Sequence, residues 1–138
     1  MPGRVLALDV GTARIGVAVS DPDRTVALPA GTIRVAGGPQ DLKAVAGLVE
    51  RYEASEVVVG YPLSLSGKRG PAARHAEEFA EGLRMFLRVP VRLQDERLTT
   101  VEAERDLRKA GASGRRRRDA VDQAAAVLIL RAHLDAAR

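Results

Sequence analysis

Three acidic positions in this chain are poorly explained by local structure. Asp9 interrupts the apolar run VLALDV, Asp95 and Glu96 close another apolar stretch, and Asp122 sits beside the apolar stripe of a C-terminal helix. Each has an ordinary reading. Asp9 stands just before Gly11 and can serve a turn, Asp95 and Glu96 can be a solvated strand exit, and Asp122 can answer the dipole of an early helical turn. Asp119, three residues earlier on the same face, fits a capping role better and is held in reserve. Brought together, however, such carboxylates repel, and a hard divalent cation such as Mg²⁺, which prefers oxygen ligands and retains waters, removes that cost. Two such ions roughly 4 Å apart clamp the attacking and leaving oxygens of a phosphodiester displacement.

The elements that must position these acids can be read from periodicity. Arg4 to Val10 and Ile15 to Ser20 are expected strands joined through Gly11-Thr12-Ala13-Arg14, with Val26 to Val35 as a third, broken or placed at an edge by Pro29. Alternation puts Val5, Ala7 and Asp9 on one face and Leu6, Leu8 and Val10 on the other. Leu42, Val45, Ala46 and Val49 recur at helical spacing within 40–52. Val57 to Val59 suits a buried parallel strand after a crossover helix. The loop PLSLSGKRGP (62–71), a helix over 72–87 and a strand over 89–93 follow. Thr99 with Glu102 fits a capping box opening a further helix that Gly111 to Gly114 ends. Four arginines, Arg115 to Arg118, precede a last helix over 119–137 with Val121, Ala125, Leu128 and Ala132 on one stripe. The order β-β-β-α-β-α-β-α-α predicts one mixed α/β sheet flanked by helices.

Composition narrows the class. A chain of 138 residues suits one domain spanning 1–138, and 46% hydrophobic residues suffice for a packed core. With no cysteine, disulfide frameworks and thiolate metal sites are excluded, which fits the cytoplasm. No apolar run reaches the roughly 18 residues of a membrane span, and no signal peptide is evident. The net charge of +4 is modest, but its excess is mostly arginine, whose planar fork suits phosphate.

Four segments carry a more specific signal: LALDVGTARIGVAVSD (6–21), VVVGYPLSLSG (57–67), DERLTT (95–100) and VDQAAAVLIL (121–130). In this order they resemble the YqgF/RuvX family, described both as Holliday-junction resolvases and as pre-16S ribosomal RNA nucleases. The resemblance implies a ribonuclease H-like fold with a five-stranded mixed sheet, and a metal-dependent nuclease site. By position, Asp9 is the first-strand acid, Glu96 the acid of DER and Asp122 that of the last helix. Together they would hold Mg²⁺ or Mn²⁺, and metal would then be what makes Asp9 tolerable in its apolar run. One departure stands out: resolvases of this fold carry a Glu at the end of the fourth strand, where this chain has GYPLSLSG. Tyr61 and Ser66 also replace the Leu and Asp more usual in the family.

The cations lie in expected loops or at element ends. Arg14 and Arg97 follow closely on proposed metal acids and are read as phosphate contacts or as partners that hold carboxylates in place. Lys68 and Arg69 can clamp a strand, or sit in an exposed surface loop. Arg115, Arg116, Arg117 and Arg118 can grip the substrate beside Asp122, or only solvate a helix start. His75 and His133 have no partner at metal-ligand spacing. The aromatic content of 3% argues against a base-stacking platform and for recognition of backbone and shape, hence structured nucleic acid. Two other classes remain open. One is a non-catalytic nucleic-acid-binding module on the same fold. The other is a phosphate-binding hairpin of the sugar-kinase type, against which length argues because such proteins close two domains around a nucleotide. The protein is expected as a monomer or a homodimer.

Overall fold

The computed structural model describes residues 3–96 and 114–137, with only the backbone path given for 114–117. Strands β1 (Arg4–Val10), β2 (Arg14–Ser20) and β3 (Ala27–Arg34) form an antiparallel meander. Helix α1 (Pro39–Tyr52) crosses to β4 (Ala54–Tyr61), and α2 (Pro71–Phe86) to β5 (Val91–Asp95). The last helix, α3, runs Gly114–Ala136. The sheet order is β3-β2-β1-β4-β5, with β4 parallel to both β1 and β5. The mixed sheet is therefore as expected. The helix expected after Thr99 lies outside the described residues.

Two apolar faces of the sheet recruit two helical layers. Leu6, Leu8, Ile15, Val17, Val57 and Val59 pack with Val45 of α1 and with Ala76, Ala80 and Leu83 of α2. Val5, Ala7, Ala18 and Val58 pack with Ala125, Ala126, Ile129, Leu130 and Leu134 of α3. The alternation along β1 thus assigns Asp9 to the α3 side, the side that carries Asp122. Pro at the first position opens both α1 and α2, where its missing N–H costs no helical bond.

Several boundaries differ from expectation for physical reasons. β4 begins at Ala54 rather than Val57, because Glu56, 7% exposed, is held among Arg24, Arg92 and His133 and so can enter the strand. β5 starts after Pro90, not at Val89: proline has no N–H for the ladder, although its carbonyl accepts from Val57 N at 2.9 Å. Asp95 is in consequence the last strand residue, and Glu96 the first beyond it. α3 begins at Gly114, so the four arginines belong to its first turns rather than preceding it. Its buried face is Val121, Asp122, Ala125, Ala126, Ile129, Leu130 and Leu134; Leu128 and Ala132, expected on that stripe, are only half-buried. Pro29 lies on edge strand β3, opposite Ala18, where the register shifts. No helix among the described residues is long and apolar enough to cross a membrane.

Candidate active site

Asp9 lies near the end of β1 at the carboxyl edge of the sheet, where parallel β4 and β5 also end. In the β1–β2 ladder its direct partner is Gly16. A Cβ at Gly16 would overlap the backbone carbonyl of Asp122 and stand 3.0 Å from the Asp122 Cβ. The missing side chain therefore lets α3 ride directly on β2, which sets Asp122 beside the strand position that faces Asp9. Glu96 arrives from the next strand end but one. Its backbone N–H donates to the Tyr61 carbonyl at 3.1 Å, and a Cβ on Gly60 would lie 2.9 Å from its Oε2. Two strand glycines, Gly16 on β2 and Gly60 on β4, thus make room for two of the three acids.

The result is a cavity of about 440 Å³ whose wall includes Asp9, Glu96 and Asp122. Glu96 is 4% exposed and Asp122 7%, so neither is a solvated surface acid. Asp122 lies eight residues into α3, beyond the turn where a helix dipole would account for it. The β1–β2 turn supplies Val10 to Arg14 to the same cavity, closed by a Gly11 N–H to Arg14 carbonyl bond of 2.9 Å. Pro71, Ala72 and His75, from the start of α2, also line it, and the first turn of that helix carries no acidic residue. That helix end offers the positive pole of its dipole to an anion. His75 has no role legible in the sequence, since nothing local links position 75 to positions 9 or 122.

Arg14, the first residue of β2, donates from Nε to Asp122 Oδ2 at 2.5 Å, with Asp119 Oδ1 at 3.9 Å from the same nitrogen. This is one of the roles expected for Arg14, the holding of a carboxylate. Among the described residues no three His, Asp or Glu side chains converge closely enough to hold an ion as they stand. The donor chemistry nevertheless fits a hard divalent cation: three carboxylates share one cavity, two of them withdrawn from water, and one is occupied by a guanidinium rather than by neutral donors. Asp9, Glu96 and Asp122 are the residues that would hold it.

The remaining expected contacts divide. Lys68 is exposed in the loop between β4 and α2. Arg69 is bound to Glu77 of α2 at 2.9 and 3.0 Å, and Tyr61 donates its hydroxyl to the same carboxylate at 2.7 Å. That hydroxyl bond, with Arg69, holds the Glu77 carboxyl below the ordinary range, and the same bond raises the Tyr61 phenol. So the strand end that lacks an acid instead ties the loop to α2. Arg118 is exposed; Arg115, Arg116 and Arg117 lie in the first turns of α3, and Arg97 is outside the described residues altogether.

Comparison with known proteins identifies the family and the fold. The profile of the RuvX family, described as Holliday junction resolvase, matches residues 3–136. The chain belongs to the RuvX family. A relative from Thermobifida fusca is 57% identical over 141 residues, covering 96% of this chain and 87% of the relative. One from Rhodococcus opacus is 51% identical over 138 residues, covering 96% and 78%. Both are provisionally named pre-16S rRNA nucleases. Among solved structures, T. thermophilus RuvC in complex with a Holliday junction substrate superposes over 99% of this chain and 95% of its own, with a TM-score of 0.58 at 17% identity. A second Thermus thermophilus RuvC structure gives 0.54 at 13% identity, over 97% and 96%. The fold is therefore that of RuvC, ribonuclease H-like, as the sequence motifs imply.

Proposed function

We propose that this protein is a nuclease that hydrolyses phosphodiester bonds in structured nucleic acid, with Asp9, Glu96 and Asp122 as its catalytic acids and Mg²⁺ or Mn²⁺ as its cofactor. The observation that carries this reading is the cavity wall itself. Three carboxylates from β1, the β5 end and α3 line the same space as the acid-free N-terminus of α2. A bound divalent ion supplies Lewis-acid polarisation of a phosphate oxygen and lowers the pKa of a coordinated water.

The chain's own residues do the rest. Asp9 and Glu96, fixed at strand ends, orient the ligand oxygens. Asp122 completes the set from a helix seated on Gly16. The start of α2 and the Arg14 guanidinium favour the phosphate anion from their positions on the cavity wall. Lys68, Arg97 and Arg115 to Arg118 are assigned to the nucleic-acid backbone by their charge, and recognition by charge and shape agrees with the scarcity of aromatics. Arg69 contributes through the loop it ties to α2. The whole chain acts as one nuclease domain, in the cytoplasm, as a monomer or homodimer.

The names of relatives point to precursor 16S rRNA and the family description to four-way DNA junctions, so both belong in one experiment. Wild type and Asp9→Asn are incubated with Mn²⁺ or Mg²⁺ and precursor 16S rRNA, a four-way junction or a matched linear duplex. Metal-dependent cleavage by wild type alone supports the reading, and the preferred substrate names the biology. Tight binding without cleavage of any substrate would instead make this a non-catalytic nucleic-acid-binding module.

A further inference from the structure

The Arg14–Asp122 pair sets a problem for a metal site. The carboxylate that would complete the ligand set is engaged at 2.5 Å by a cation of the protein's own. Arg14 is mostly sheltered, with 22% of its side chain exposed, and the Asp122 side chain is 10% exposed, so water screens the pair weakly. A divalent ion and the guanidinium compete for Asp122, because both are cations seeking the same oxygens.

One turn back on α3, Asp119 Oδ1 is buried and, among the described residues, is the one such side-chain oxygen without a hydrogen-bond partner. Buried carboxylate oxygens are rarely left so, since the desolvation cost is not offset. That oxygen lies 3.9 Å from Arg14 Nε, too long for a hydrogen bond but within reach of one after a small side-chain shift. Asp119 Oδ1 is thus an acceptor already in place for a donor that is elsewhere.

We propose that Arg14 is a two-position latch: it holds Asp122 in the metal-free protein and passes to Asp119 when Asp122 turns to the metal. Asp119 is accordingly a positioning residue for metal loading, acting through Arg14. The exchange keeps the guanidinium within the cavity and recovers part of the lost charge-assisted bond at the more distant Asp119, so the ion need not break Arg14 free into solvent. The inference rests on the assignment of Asp9, Glu96 and Asp122 as metal ligands.

The test is calorimetric titration of Mn²⁺ into the full-length wild type, Arg14→Gln, Asp119→Asn and the double variant, each checked for folding by circular dichroism. Arg14→Gln removes the competitor and is expected to bind Mn²⁺ roughly tenfold more tightly. Asp119→Asn removes the receiving carboxylate and is expected to bind several-fold more weakly. In the double variant the Asp119 effect should shrink to within about twofold, because its partner is gone. Weaker binding by Arg14→Gln, or an Asp119→Asn loss that persists undiminished in the double variant, would overturn the latch and leave Arg14 as a fixed support and Asp119 as simple negative charge. Arg14→Lys, which keeps a cation, serves if Arg14→Gln fails to fold; it should bind Mn²⁺ near the wild-type affinity, and a tenfold gain would contradict the competition. Absence of saturable Mn²⁺ binding by wild type would defeat the metal assignment itself, and the latch with it.

Discussion

The two ends of the sheet treat buried acids in opposite ways. At the start of β4, one carboxylate, Glu56, is surrounded by Arg92 at 2.6 Å, His133 at 2.9 Å and Arg24 at 3.4 Å. At the other end, three carboxylates, Asp9, Glu96 and Asp122, line one cavity, and Arg14 reaches in to Asp122. Helix α3 spans both, with His133 near its end and Asp122 nearer its beginning. The Glu56 cluster is filled by the protein's own side chains and fastens α3 to the sheet. The Asp122 end keeps an accessible space between its acids, large enough for an ion and a phosphate. Burial of an acid therefore does not mark function. What separates the two ends is that the Glu56 cluster is packed solid, whereas Asp9, Glu96 and Asp122 border a cavity of about 440 Å³.

The sharpest way to break that contrast is Gly16→Ala, which touches neither set of charges. A methyl group there collides with the Asp122 backbone, and a helix backbone cannot move aside as a side chain can. We expect a loss of roughly 3 kcal/mol or more in denaturant unfolding, with cleavage lost as well. Retained stability would mean that α3 is not seated as described. Gly60→Ala first meets side-chain atoms, Ile129 Cδ1 at 2.5 Å and Glu96 Oε2 at 2.9 Å, rather than backbone, and should cost less in stability while still disturbing Glu96.

Asp9→Asn and Glu56→Gln form a crossed pair. Asp9→Asn should cut cleavage at least about 100-fold, near 2.7 kcal/mol in the barrier, and cost less stability than Glu56→Gln. Glu56→Gln should do the reverse, losing about 2 kcal/mol of stability as Arg24, Arg92 and His133 lose their shared acceptor, with cleavage retained wherever the protein is folded. If both variants lose activity and neither loses stability, the two ends are not distinct.

Acid provides a gentler probe of the same end. Burial raises the Glu56 pKa, but the bonds from Arg92 and His133 outweigh it and the net shift is downward from 4.5. A depressed folded-state pKa means that the unfolded chain takes up the proton first. The stabilisation is then complete above the ordinary glutamate range and declines as pH falls through the lower folded value. Wild type should lose stability faster than Glu56→Gln below about pH 4.5, measured by urea midpoints; parallel curves would remove Glu56 from the account. The smallest effect belongs to the arginines of α3. Replacing Arg115 to Arg118 by Gln should flatten the slope of log affinity against log salt by roughly one unit for each phosphate no longer neutralised, with little change in stability. An unchanged slope would leave them as solubilising charge.

Much of this is legible in the residues. Alternation along β1 places Asp9 on a definite face, and the four motif segments bring Asp9, Glu96 and Asp122 into one family pattern. Strand and helix periodicity finds the sheet and the crossover helices. What the residues hide is non-local. Glu56 reads as the polar edge before Val57, because its three partners come from positions 24, 92 and 133. The engagement of Arg69 by Glu77 depends on α2 folding back to Tyr61. Gly16 looks like any glycine in a strand until α3 is laid across it. α3 is longer than its apolar stripe suggests because four consecutive arginines resemble a loop, although arginine is a good helix former.

The most direct measurement is the affinity of the protein for Mn²⁺ by titration calorimetry, comparing wild type, Asp9→Asn and Glu56→Gln. We expect saturable binding that Asp9→Asn weakens at least tenfold and Glu56→Gln leaves unchanged. Equal affinity in wild type and Asp9→Asn would contradict it, because the metal would then bind somewhere other than the cavity at the end of β1.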